Sequence, residues 1–75
     1  MSGDALYDLK GLKCPLPVLK TRRRLTTMQR GEELSIETTD PLAVIDVPHF
    51  CNEDGHELLE TTQLDNGHRF RIRKG

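Results

Sequence analysis

The stretch Gly11-Leu12-Lys13-Cys14-Pro15-Leu16-Pro17 limits what this chain can fold into more than any other. Proline suits the first position of a helix, where its missing N–H would have had no partner. Two prolines one residue apart, behind a glycine, therefore mark a junction from a short apolar strand into a helix. Proline also pushes the preceding residue towards extended angles, so a helix starting at Pro15 makes Cys14 its N-cap. The same rule applied to Leu16, ahead of Pro17, leaves open a start at Pro17; Pro15 is the start preferred here. An N-cap side chain faces free amides and the positive end of the helix dipole. Pro15 and Pro17 supply no amide, so the Leu16 N–H becomes the expected donor to the Cys14 sulfur. The expected consequence is a thiolate with a pKa below the free value of about 8.5.

On either side of that junction the pattern resolves into six elements. Residues 5–9 read as a first strand with Tyr7 and Leu9 inward. Residues 15–28 carry Val18, Thr21, Leu25 and Met28 at helical spacing, with Lys20, Arg23, Arg24 and Thr27 on the solvated side and Gly31 as the stop. Residues 33–39 alternate, placing Leu34, Ile36 and Thr38 on a buried face. Asp40-Pro41 repeats the helix-start signal, and Leu42, Ile45, Phe50 and Cys51 suggest a second helix. Pro48 is expected to break that helix into a short turn and a second piece. Residues 56–64 and 68–74 are two strands, with Asp65-Asn66-Gly67 as the hairpin turn between them. Strand–helix–strand units favour right-handed parallel crossovers, so both helices belong on one face of the sheet. The other face then holds Glu33, Glu37, Arg69, Arg71 and Arg73 in water. The class is α/β, a two-layer sandwich of order β-α-β-α-β-β.

With 75 residues the chain reads as a single domain over residues 1–75 with a small core. Eleven Lys+Arg face twelve Asp+Glu, and aromatics make up 4%. That balance argues against direct nucleic-acid binding, which favours a basic surface with stacking side chains. Neither a signal peptide nor a membrane-spanning run is expected, so the setting is read as cytoplasmic, without a membrane partner and with both thiols free.

Cys14, at a helix start beside Lys10 and Lys13, is the candidate reactive group. Most free cysteines are instead small buried hydrophobes, and Cys51, among Phe50, Ile45 and Leu58, is read that way. Nothing completes a hydrolytic set, because His49, His56 and His68 are distant in sequence and none sits at a matching strand end. A C-x-x-C redox pair is missing too. His49, Cys51 and His56 match no standard zinc spacing, so no metal and no cofactor are expected. A lone activated thiol suits a carrier, which accepts a group on sulfur and hands it on.

These residues resemble the TusA/SirA-like sulfur-carrier family. The resemblance rests on Gly11 to Pro17 with its C-P-x-P core, on Asp40-Pro41, on Asp46-Val47-Pro48-His49-Phe50-Cys51 and on Arg71-Ile72-Arg73-Lys74. It implies a four-stranded mixed sheet of order 1-2-4-3, the last strand antiparallel to the others. It implies a persulfide on Cys14, with Pro15, Leu16 and Pro17 shaping the sulfur's surroundings. It implies a cysteine desulfurase or rhodanese-like sulfur donor and a downstream acceptor protein, so that the chain acts as a persulfide carrier and not as a self-contained turnover enzyme. Candidate pathways are tRNA thiolation, sulfur oxidation and molybdenum-cofactor enzymes. Leu16 stands where tRNA-thiolation members commonly carry Glu, which implies a different partner surface. Lys13, Lys20, Arg23 and Arg24 are the expected docking residues. The alternative reading is an RNA-binding or regulatory module using the basic face of the first helix, since the implied fold is shared with an initiation-factor domain that binds ribosomal RNA.

Overall fold

A computed structural model describes residues 5–75; the first four residues of the domain expected over 1–75 lie outside the described residues. The elements are β1 (Ala5–Asp8), α1 (Leu16–Leu25), β2 (Glu33–Thr38), α2 (Ala43–Asp54), β3 (Glu57–Gln63) and β4 (His68–Arg73). The sheet runs β1-β2-β4-β3, as the resemblance implies. β1 and β2 are parallel, whereas β4 is antiparallel to both β2 and β3. α1 connects neighbouring parallel strands. α2 carries the chain past one strand position, and the tight hairpin returns β4 into that gap.

The inner face of the sheet is apolar and closed. Leu34 and Ile36 of β2 lie opposite Ile72 and Phe70 of β4, and all four are fully buried. The helices cover them with Leu25 from α1 and Ala43, Val47, Phe50 and Cys51 from α2. Truncating Phe70 at the centre of this cluster would cost about 3–5 kcal/mol.

The outer face is an ion-pair lattice. Glu37 accepts from Lys10 Nζ at 3.0 Å and from Arg69 Nε and Nη2 at 2.8 and 2.6 Å. Arg71 bridges Glu33 and Glu60, and Arg73 reaches Glu57. A bulge between Leu58 and Glu60 keeps this lattice in step, because it sets Glu60 opposite Arg71 and Thr61 opposite Phe70. Glu37 is not in open water as expected; those cations leave it only 8% exposed.

Three expectations about the helices are corrected. α1 stops at Leu25, six residues before Gly31, because the Thr26 and Thr27 hydroxyls donate back to the Arg23 and Arg24 carbonyls. Gly31, at φ +89°, serves the turn into β2 instead. α2 is one continuous helix through Pro48. The missing amide is tolerated because Ala43 and Val47 before it and Phe50 and Cys51 after it pack on the same core. Leu42 and Ile45, expected in that core, are 50% and 65% exposed.

The pH dependence of stability tests the outer lattice. Hydrogen bonds from Arg69 and Lys10 hold the Glu37 carboxyl below its ordinary value of 4.5. A depressed carboxylate contributes fully above the ordinary value, and its contribution disappears as pH falls through the lowered one. Denaturant melts of the parent should therefore lose stability below about pH 4.5. Glu37→Gln should be less stable at neutral pH and should show a flatter acid limb.

Candidate functional site

The first β-to-α junction lies against the second. Gly11 N–H donates to Thr39 Oγ1 at 2.9 Å, and Cys14 N–H donates to Asp40 Oδ2 at 2.9 Å. The other Asp40 oxygen accepts from Leu42 N–H at 3.2 Å, and the Asp40 carbonyl accepts from Ala43 N–H. One aspartate thus ties the cysteine's backbone to the start of α2. Gly11, at φ +88°, lets the chain turn back towards Thr39.

Cys14 is exposed and sits one residue before the N-cap, which is Pro15; its peptide bond to Pro15 is cis. The expected start at Pro15 moves to Leu16. The expected Leu16 N–H to sulfur bond is absent, since that amide donates to the Lys13 carbonyl at 2.8 Å. The sulfur meets acids instead. Cys14 Sγ and carboxylate oxygens of Asp40 and Asp46 lie within 4.8 Å of one another. The Cys14 thiol is accordingly pushed up, not down, first by the Asp46 carboxylate beside it, then by desolvation and by the charges of Asp46 and Asp40. The lowered pKa expected from the helix end is overturned: the amide that would have stabilised the thiolate has another acceptor, and the nearest charges are negative.

Cys14 opens into a hollow of about 210 Å³ lined by Pro15, Val18, Arg22, Asp46, His49, Phe50 and Glu53. Val18 and Arg22 are four apart on α1. Asp46, His49, Phe50 and Glu53 recur at i, i+3, i+4 and i+7 on α2, so they form one helix face. Arg22 is held there by Asp54 at 3.0 Å and by the Phe50 ring, whose centroid is 5.2 Å away. His49 Nε2 lies 3.4 Å from Glu53. Sequence reasoning set aside Arg22, Asp46 and His49. Arg22 was hidden within a basic run, although its four-residue step from Val18 marks the margin of the buried face. Asp46 and His49 fall on one face only if α2 continues through Pro48.

The other sequence candidates are dispersed. Pro17 is buried and Leu16 is 44% exposed. Lys13 lines a second depression with Gly11, Leu12, Thr39, Asp40, Pro41 and Leu42. Lys20, Arg23 and Arg24 line a separate groove with Tyr7 and Thr27, where the Arg24 guanidinium lies 4.6 Å over the Tyr7 ring. Cys51 is 2% exposed, and burial pushes its thiol up to about 11. The Cys14–Asp40–Asp46 trio has the donor types of a metal centre, but both Asp40 oxygens already accept backbone N–H bonds.

The sequence matches the family described as Sulfurtransferase TusA over residues 6–74. The chain belongs to the TusA family. Among curated TusA-like relatives, "Putative sulfur carrier protein YrkI" of Bacillus subtilis is 35% identical over 75 residues, covering all of both chains. Two proteins of Neisseria meningitidis, from serogroups A and B and also named "Putative sulfur carrier protein", are each 43% identical over 65 residues. In each case the match covers 87% of this chain and 86% of the relative. Sulfur-carrier function, with donor and acceptor proteins on either side of the transfer, follows from that membership. Among the described residues, no helix of this TusA-family chain is long and apolar enough to cross a membrane.

Alkylation of Cys14 in a Cys51→Ala background, followed against pH, should give a midpoint above the free thiol value of about 8.5. A midpoint below it would mean that the helix end outweighs the two acids.

Proposed function

We propose that the chain carries sulfane sulfur as a persulfide on Cys14 and relays it to an acceptor protein. The observation that carries this reading is the contrast between its thiols: Cys14 is exposed at the mouth of a hollow, whereas Cys51 is sealed in the core. In loading, Cys14 sulfur attacks the outer sulfur of a donor persulfide. The donor's S–S bond breaks, its inner sulfur leaves with the electron pair, and Cys14–S–SH forms. In discharge an acceptor thiol attacks that outer sulfur, and Cys14 returns to the thiol. Each exchange makes one S–S bond and breaks one, so no external oxidant or reductant is consumed. The donor is of the cysteine desulfurase or rhodanese-like class, and the setting is the reducing cytoplasm. The acceptor lies in tRNA thiolation or another sulfur relay. The chain works as a carrier between such enzymes and not as an enzyme with its own turnover.

The surroundings of Cys14 suit protein docking. Leu16 and Leu19 on α1, and Leu42 and Ile45 at the start of α2, are 44%, 47%, 50% and 65% exposed. Pro15 and Pro17 hold the α1 end of this apolar surface, and apolar groups without charge are what interface cores favour. Lys13, Lys20, Arg23 and Arg24 add positive charge further out, which steers an acidic partner and is weakened by salt.

Mass spectrometry after incubation with a cysteine desulfurase and cysteine tests the carrier step. The parent and Cys51→Ala should each gain the mass of one sulfur, mapped to the Cys14 peptide, and Cys14→Ser should gain none. Loading that survives Cys14→Ser, or that requires Cys51, would overturn the assignment. The docking surface has its own test. Leu16→Glu should slow transfer from the protein donor even at a pH that ionises Cys14 fully in both proteins. Equal rates at that pH would leave Leu16 without a partner role.

A further inference from the structure

The thiol that must react lies within 4.8 Å of two carboxylates, which is unexpected for a nucleophile that works as its anion. The reaction itself supplies the reason. Loading from a persulfide moves no net charge, but it does move a proton. Cys14 enters as a thiol, the donor leaves as a thiolate, and the product state has the proton on the donor. A group that takes the proton at Sγ and delivers it to the departing sulfur would couple the two events.

We propose that Asp46 is that group: a catalytic carboxylate that accepts the Cys14 thiol proton as sulfur is loaded and returns it to the leaving donor thiolate. The inference rests on the persulfide reading of Cys14. Of the two acids within 4.8 Å of the sulfur, Asp40 is engaged through both oxygens by the Cys14 and Leu42 amides. Asp46 has no backbone amide on its carboxylate among the described residues, lies within 4.8 Å of the sulfur and lines the same open hollow, where a donor sulfur must enter. It lies in the first turn of α2, on the helix face that lines the hollow. The remaining charged or titratable groups lining the hollow are Arg22 from α1 and His49 and Glu53 from α2; Lys13, adjacent to Cys14 in sequence, lines the neighbouring depression instead. Arg22 is paired with Asp54 and His49 with Glu53, so neither competes for the thiol.

The loading step balances as follows. The Cys14 S–H bond breaks, and its proton passes to an Asp46 oxygen. Sγ uses the freed pair to bond the donor's outer sulfur, and the donor S–S bond breaks with its pair on the inner sulfur. That sulfur then takes the proton from Asp46. Discharge runs the same relay with the acceptor thiol as proton source and Cys14 as proton sink.

Asp46→Asn separates this role from simple suppression of the thiol, because the two predict opposite signs for two reactions. Alkylation needs only thiolate, so removing the acid should move its pH midpoint down and speed it at neutral pH. Loading from a protein persulfide donor at the same pH should slow by about a hundredfold or more, the scale of a lost general base. Asp46→Glu should recover part of the loading rate, and the circular dichroism of both variants should match the parent. Loading by Asp46→Asn that rises in proportion to alkylation would overturn the proposal while leaving the carrier reading intact. A parent protein that takes up no sulfur on Cys14 would overturn the carrier reading itself, and this proposal with it.

Discussion

The site depends on one buried carboxylate. Asp40, 8% exposed, accepts a hydrogen bond from the Cys14 amide across 26 residues of sequence and another from Leu42 two residues on. A hydrogen bond to a charged group contributes about 1.5–3 kcal/mol. The loop before α1 has little else to hold it. Its apolar residue Leu12 is only half-buried, and Gly11 is held by the neighbouring Thr39. Without Asp40 the two β-to-α junctions would be independent loops. With it they form one platform, and the hollow between α1 and α2 opens beside the sulfur.

That platform decides the electrostatics. The dipeptide Asp40-Pro41 signals a helix start, and its acid does serve the first amides of α2. The same acid also draws Cys14 towards α2, where Asp46 waits in the first turn. The result is a thiol whose pKa is raised by neighbouring carboxylates, in place of a bare thiolate at a helix end. Thiolate character governs oxidation as well as transfer, so a raised thiol pKa lowers susceptibility to adventitious oxidants. The exposed apolar residues Leu16, Leu19, Leu42 and Ile45 remain outside the core because the inner sheet face is already filled by Leu34, Ile36, Phe70 and Ile72.

Much of this was legible in the chain, and the misses share a cause. Period-two alternation placed Leu34, Ile36, Phe70 and Ile72 inward and the arginines outward, because a sheet with one wet face imposes that pattern directly. The reading of Cys51 as a core thiol agrees with its burial for the same reason. The helix ends were harder, since their outcome turned on competing local acceptors. Leu16 N–H chose the Lys13 carbonyl over sulfur, and the Thr26 and Thr27 hydroxyls ended α1 early. Pro48 misled most. Treating it as a break separated Asp46 from His49, Phe50 and Glu53, and so concealed the face of α2 that lines the hollow. The bond between Cys14 and Asp40 joins residues far apart in sequence, and no local pattern could have announced it.

Hydrogen exchange at the Cys14 amide tests this dependence most directly. Its N–H should be protected far beyond an exposed loop amide and should lose that protection in Asp40→Ala, while the amides of β2 and β4 stay protected in both proteins. A Cys14 amide that exchanges at the rate of an unstructured loop in the parent protein would contradict the account, because the two junctions would then not be held together by Asp40.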